Sequence, residues 1–214
     1  MAWFTRVTRF GDVQLVYGQE HGMTCGIASV MMCIFKVNKL TPGKSAVTVE
    51  QDIIQRYTNA LGVGYAPETT GTYPDKLCTV LNAFTSGTWR WHNTPPNDVT
   101  AALVGKVGVS GAFGPIVNVE PVILGVDWDL GGAHWVVVDT IRDVLGRRYA
   151  TVCDPWDANV HMQVLPKSGP FVYDAAHGGF MMNFGGTAPK GDTQPYQGAG
   201  AKGQVKNWGM IYRD

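Results

Sequence analysis

Cys25, His134, Asp154 and Gln19 place a thiol, an imidazole, a carboxylate and an amide donor in one chain. They sit in residues 19–29 (Gln-Glu-His-Gly-Met-Thr-Cys-Gly-Ile-Ala-Ser), 131–138 (Gly-Gly-Ala-His-Trp-Val-Val-Val) and 150–156 (Ala-Thr-Val-Cys-Asp-Pro-Trp). A thiol nucleophile needs a base to take its proton, and the base needs a third group to hold its ring. The tetrahedral intermediate of acyl transfer needs hydrogen-bond donors for its oxyanion. These four residue types cover those roles. Each also has an ordinary use: a buried helix cysteine, a locally satisfied strand-end histidine, an Asp-Pro turn and a surface glutamine.

The elements that must position them are legible in part. Ala28, Met31, Met32 and Phe35 recur at helical spacing, which predicts a helix over 25–36 with Thr24 as N-cap and Cys25 at its start. A helix N-terminus offers free N–H groups and a dipole that favour a thiolate. Gly26 leaves backbone room beside the sulfur. Further helices are predicted over 48–60, opened by a Thr48/Gln51 capping box, over 74–84 and over 97–104. Strands are predicted at 119–126, 134–141 and 149–153, with weaker candidates at 171–173, 180–184 and 210–212. Pairing of 134–141 with 148–153 would return Asp154 toward His134. Asp139 competes for the same role but lies five residues along the strand, on the other face; Asp127 and Asp129 rank lower. His21, His92, His161 and His177 lack a comparable setting. Residues 185–203, rich in Gly, Pro, Gln and Lys, read as a long loop.

Composition bounds the class. The chain has 214 residues, 45% hydrophobic and only 16% charged, which fits one packed domain and argues against disorder. Lys+Arg and Asp+Glu both number 17, so nothing favours nucleic acid or an anionic membrane. No apolar run is long enough to span a bilayer, and Met1–Phe10 does not read as a secretory leader, so a soluble protein is expected, cytoplasmic or exported without a signal. Cys25, Cys33, Cys78 and Cys153 form no Cys-x-x-Cys pair, which argues against structural zinc. Free thiols are expected, with no cofactor and no metal. Helices followed by strands predict an α+β fold: an N-terminal helical lobe carrying the thiol, packed on a C-terminal antiparallel sheet carrying the imidazole.

The ordered set Gln19, Cys25-Gly26, His134, Asp154 resembles papain-like cysteine peptidases. The closer likeness is to compact bacterial branches: double-glycine-peptidase-like families and papain-like effector proteases. Ala133-His134-Trp135-Val136-Val137 and Asp154-Pro155 carry it, and Thr72-Tyr73-Pro74 with the following helix resembles the middle segment of such domains. The likeness covers roughly 10–160; the last 55 residues have no counterpart. No aromatic follows Cys25-Gly26, the third member is Asp and not Asn, and Asn207-Trp208 falls too late to match an Asn-x-Trp motif. The resemblance implies Cys25 as nucleophile, His134 as base and acid, Asp154 as orienter and Gln19 as oxyanion donor. It implies a protein or peptide substrate, and leaves room for an inhibitor or immunity partner. The alternatives are a deamidase or acyl-transfer toxin or effector using the same thiol, a catalytically dead papain-like binding module, and an α+β domain in which these groups never meet. Trp128, Trp135 and Trp156 are candidate pocket walls.

Overall fold

The computed structural model describes residues 2–40, 50–62, 66–116, 120–175, 181–184 and 202–214. In chain order the elements are β1 (Ala2–Thr8), β2 (Val13–Gly18), α1 (Cys25–Val37), α2 (Glu50–Leu61), α3 (Pro67–Thr70), α4 (Pro74–Phe84), β3 (Trp89–His92), α5 (Val99–Val107), β4 (Ser110–Gly111), β5 (Val122–Trp128), β6 (Ala133–Val144), β7 (Arg147–Asp154), β8 (Asn159–Leu165), β9 (Val172–Asp174), β10 (Met181–Phe184) and β11 (Lys202–Arg213). The main sheet runs β3-β11-β5-β6-β7-β8, and a small one runs β10-β1-β2. Pairings along both are antiparallel; the short β4 joins β6 in parallel. The fold is mixed α+β with an antiparallel sheet.

The central strands are buried on both faces. Ile123, Trp135, Val137 and Cys153 face a core shared with α1, α2 and α4. Val122, Leu124, Val126, Val136 and Val138 face a second core with α5, Leu165, Phe171 and Tyr173. This two-sided burial explains the unbroken apolar runs in β5 and β6. α1 is buried continuously from Gly26 to Phe35, as expected of a helix apolar around most of its circumference. Its first residue therefore stands at a fixed height against β6. Among the described residues, no helix is long and apolar enough to cross a membrane.

The helices-first order is corrected at the N-terminus. The β1–β2 hairpin precedes α1; burial alternates along β1, with Phe4, Arg6 and Thr8 inward, but Trp3-Phe4-Thr5-Arg6 does not alternate apolar with polar, so no period-two signal marks the strand. β3 and β8 are further strands not expected from the sequence. Thr48 and residues 185–201 lie outside the described residues; Lys202 and Gly203, expected in the loop, pair within β11.

Candidate active site

The site forms where the start of α1 meets the start of β6 and the end of β7. Thr24 occupies the N-cap position of α1 but makes no capping bond to the helix. Its hydroxyl instead donates to His21 O at 3.0 Å, and its N–H reaches the same oxygen at 3.2 Å. The turn so formed delivers Cys25, half-buried, to the edge of a cleft. Gly26 is required by packing: a Cβ there would collide with Thr72 Oγ1 and crowd Trp135 and Leu77.

β6 and β7 pair with Val137 opposite Cys153, which brings Asp154 back beside His134. His134 Nε2 meets Asp154 Oδ1 at 2.8 Å, with both side chains buried. The Cys25 thiol hydrogen-bonds with the His134 ring. Since Asp154 engages Nε2, Nδ1 is the nitrogen left to face sulfur. Asp154 is further held by the Trp156 N–H, which donates to Oδ1 at 2.8 Å, and by the Tyr173 hydroxyl, which donates to Oδ2. Trp128 lies nearly parallel to the imidazole, centroids 5.6 Å apart and planes at 17°, where its π face favours an imidazolium.

The electrostatics follow from this packing. Burial works to lower the His134 pKa, but the Asp154 charge and hydrogen bond, with smaller contributions from Cys25, outweigh it and raise it to about 10. Burial works to raise Asp154, and the His134 charge and hydrogen bond, then His161 and the Tyr173 hydroxyl, hold it well below the usual carboxylate range. The pair therefore favours imidazolium and carboxylate at neutral pH.

Gln19 stands beside this group but is turned elsewhere. Its N–H donates to Pro155 O at 2.9 Å, which ties the 19–24 loop to the turn after Asp154. Its side-chain amide donates to His21 O at 2.7 Å, leaving one amide hydrogen for another acceptor. Asp139 is far from this role: it sits where the β6–β7 register shifts and forms an ion pair with Lys36 on α1. A bulge re-aims the residue it adds. Asp127 is also committed, accepting from the N–H groups of Lys206 and Asn207 and from the Asn207 amide. Asp129 is exposed in a turn.

The cleft encloses about 410 Å³. Met23 and Thr70–Tyr73 form one wall, and Trp128, Ala133, Trp135, Trp156 and Trp208 the other; no lysine, arginine, aspartate or glutamate lines it. Trp208 was not expected here. The β5–β11 register breaks between Val205 and Met210, and Asp127 anchors the break. Gly125, lacking a side chain, lets the Trp208 Cβ pack against β5. Tyr173 and His161 were likewise missed. His161 is buried, with Nε2 at 2.8 Å from Asp157 Oδ2, directly behind Asp154. Asp154, Asp157 and His161 bring ligand-type atoms within 4.8 Å of one another. A cation there would have to replace the His161–Asp157 bond, so the donor set is already spent on itself.

No protein-family model matches the chain, and no curated protein matches it.

Proposed function

We propose that this chain is a papain-like thiol hydrolase, a cysteine peptidase in which Cys25 attacks a peptide carbonyl. The observation that carries the reading is the buried line Cys25–His134–Asp154 opening on a cleft. With His134 raised to about 10, the resting proton belongs on the imidazole. The Cys25 sulfur forms the C–S bond as thiolate. His134 then gives its proton to the departing amine as the C–N bond breaks. Water attacks the thioester, its proton passes to His134, and the C–S bond breaks to restore the thiolate. The oxyanion is received by the Cys25 N–H, which has no intrahelical acceptor at the first position of α1, and by the Gln19 amide once it turns from His21 O.

The cleft walls point to the substrate. Four tryptophans, Tyr73 and Met23, with no lysine, arginine, aspartate or glutamate, suit a neutral, apolar or aromatic residue beside the scissile bond. Peptide libraries read by mass spectrometry test this. Wild type should cut after or before aromatic residues, and Cys25→Ala should cut nothing. Full activity in Cys25→Ala would sink the proposal. A substrate that changes by conversion of a side-chain amide to acid, without fragments, would move the same thiol chemistry to a deamidase.

A further inference from the structure

Glu50, the first residue of α2, is fully buried yet takes no part in the cleft. Its Oε2 accepts the Glu20 N–H at 2.8 Å. The Glu50 N–H donates to the Tyr17 hydroxyl, and that hydroxyl donates to Glu20 Oε1 at 3.1 Å. The ring closes on three elements: the end of β2, the 19–24 loop and the start of α2. Thr24, immediately before Cys25, lies beside the Glu50 carboxyl, while its hydroxyl donates to His21 O and accepts the His21 N–H. The loop is thus suspended between two anchors, Pro155 O at Gln19 and the Glu50 carboxylate at Glu20. A carboxylate in a core position costs desolvation energy that an apolar side chain would not, so packing alone does not account for it.

We propose that Glu50 is a positioning residue for the thiol site. It fixes Glu20 to Thr24, and through them the Cys25 N–H and the backbone from which the Gln19 amide must turn to receive an oxyanion. The inference rests on the hydrolase reading above and adds a residue remote from the cleft to it.

The position is also sensitive to pH. Burial raises Glu50, the neighbouring Thr24 hydroxyl and the hydrogen bond from the Glu20 N–H lower it, the Glu20 charge raises it and His21 lowers it, leaving it at about 7. The groups that face it are Tyr17 from β2, Glu20 and His21 from the loop, and Thr24 at the head of α1. Lys36 on α1, Glu68 on α3 and Asp75 and Lys76 on α4 are not among the groups that shift it. Ionised Glu50 is the stronger acceptor for the Glu20 N–H. The loop is therefore tightest above about pH 7 and slackens as Glu50 gains a proton. Stability runs the other way. A carboxyl raised by folding is penalised wherever it is ionised, so the penalty is absent below its unfolded pKa of about 4.3. It is complete once pH passes about 7. Ionisation of Glu50 thus tightens the loop at a cost in global stability.

The test compares wild type, Glu50→Gln, Glu50→Ala and Tyr17→Phe. Amide hydrogen exchange of peptides spanning 17–25 is followed from about pH 6 to 8, corrected for intrinsic rates. Turnover of one peptide substrate and iodoacetamide labelling of Cys25 are measured alongside. Glu50→Ala should raise loop exchange about tenfold and leave β6–β8 unchanged, with kcat down about tenfold and KM within about twofold. Glu50→Gln should hold activity at the low-pH level of wild type, lose the step near pH 7 and unfold at a higher temperature than wild type at about pH 8. Unchanged loop exchange in folded Glu50→Ala overturns the proposal. If that variant does not fold, a step near pH 7 that persists in Glu50→Gln, with normal loop exchange in Tyr17→Phe, overturns it. A wild type that neither turns over peptides nor labels selectively at Cys25 would sink the hydrolase reading instead; the exchange data then still decide whether Glu50 holds the loop.

Discussion

Two histidine–aspartate pairs stand side by side in this molecule. His134 meets Asp154, and His161 meets Asp157, each through Nε2 at 2.8 Å; the first pair is buried on both sides, while in the second only His161 is buried and Asp157 is half-buried. Tyr173 touches both: its hydroxyl donates to Asp154, and its ring sits edge-on to His161 at 5.7 Å. The local chemistry is nearly the same, and the surroundings differ. Asp154 collects donors from His134, Trp156 and Tyr173, and its carboxyl is driven down. Asp157 collects donors from His161 and Asn159, and burial, then the charge of Asp154, leaves its carboxyl raised. His134 opens on the cleft beside a thiol, whereas His161 does not line it. A histidine–aspartate pair is thus not a catalytic signature in itself. What separates the two is a thiol on the far ring nitrogen and enough donors to keep the carboxylate charged.

The largest contrast should come from the histidine and the aspartate that reach the thiol. His134→Ala should lower kcat by about 10³-fold or more, since both the thiolate and the leaving-group proton depend on it. Low-pH alkylation checks the first half. At about pH 5.5 an ordinary thiol barely reacts with iodoacetamide, so selective labelling of Cys25 in wild type should collapse in the variant. Equal labelling in both proteins would break the comparison. Asp154→Asn comes next, with kcat down about 10²-fold and a loss of about 3–5 kcal/mol in stability, because a buried pair is broken on one side. The sign with pH is fixed by the shifts. His134 is raised, so its contribution is full below its unfolded pKa of about 6.5. That contribution is lost as pH climbs through about 10. Asp154 is lowered, so its contribution is present above its unfolded pKa of about 3.9 and disappears in acid. Melting curves of wild type and Asp154→Asn should converge at both extremes and differ most between them.

The sequence carried the line from Cys25 to Asp154 because each member sits at the end of an element with a clear period. The start of α1 is marked by its helical repeat, and the β6–β7 hairpin by two β-branched runs either side of Leu145-Gly146. Residues that depend on register or on distant pairing were hidden. Trp208 reaches the cleft only because β11 breaks its pairing with β5, and Asp139 turns to Lys36 because β6 carries an irregularity. Neither break leaves a periodic mark. Tyr173 lies on a three-residue strand whose partner, β11, is 28 or more residues further on, so its approach to Asp154 is invisible locally. The orienting direction of Gln19 could not be read either, since its amide is set by one backbone carbonyl two residues away.

Tyr173→Phe sharpens the comparison by making Asp154 more like Asp157. It removes one donor from the carboxylate and leaves the ring packing against Trp128 and His161 in place. A hydrogen bond to a charged group is worth about 1.5–3 kcal/mol, so the variant should lose stability of that order. Because His134 keeps its own bond to Oδ1, kcat should fall only about three- to tenfold, with KM unchanged. A loss as large as that of Asp154→Asn would mean that Tyr173 sets the position of the carboxylate and not merely its charge.

Asp157→Asn should have the smallest effect on rate, and it is the variant that tests whether the second pair serves the first. Asp157 touches neither Cys25 nor His134, so removal of its charge should change kcat by less than about threefold. Stability should respond with a particular pH dependence. Folding raises the Asp157 carboxyl, so its ionisation is penalised as pH rises above its unfolded pKa of about 3.9. Asparagine removes that penalty but also removes the acceptor that favours a charged His161, whose own pKa is raised by Asp157 against the effect of burial. The two changes oppose each other at neutral pH, and the net shift should stay within about 1–3 kcal/mol. If instead kcat falls as far as in Asp154→Asn while the melting temperature holds, the charge of Asp157 is reaching the thiol through Asp154, and the two pairs form one four-membered unit and not a catalytic pair with a structural neighbour.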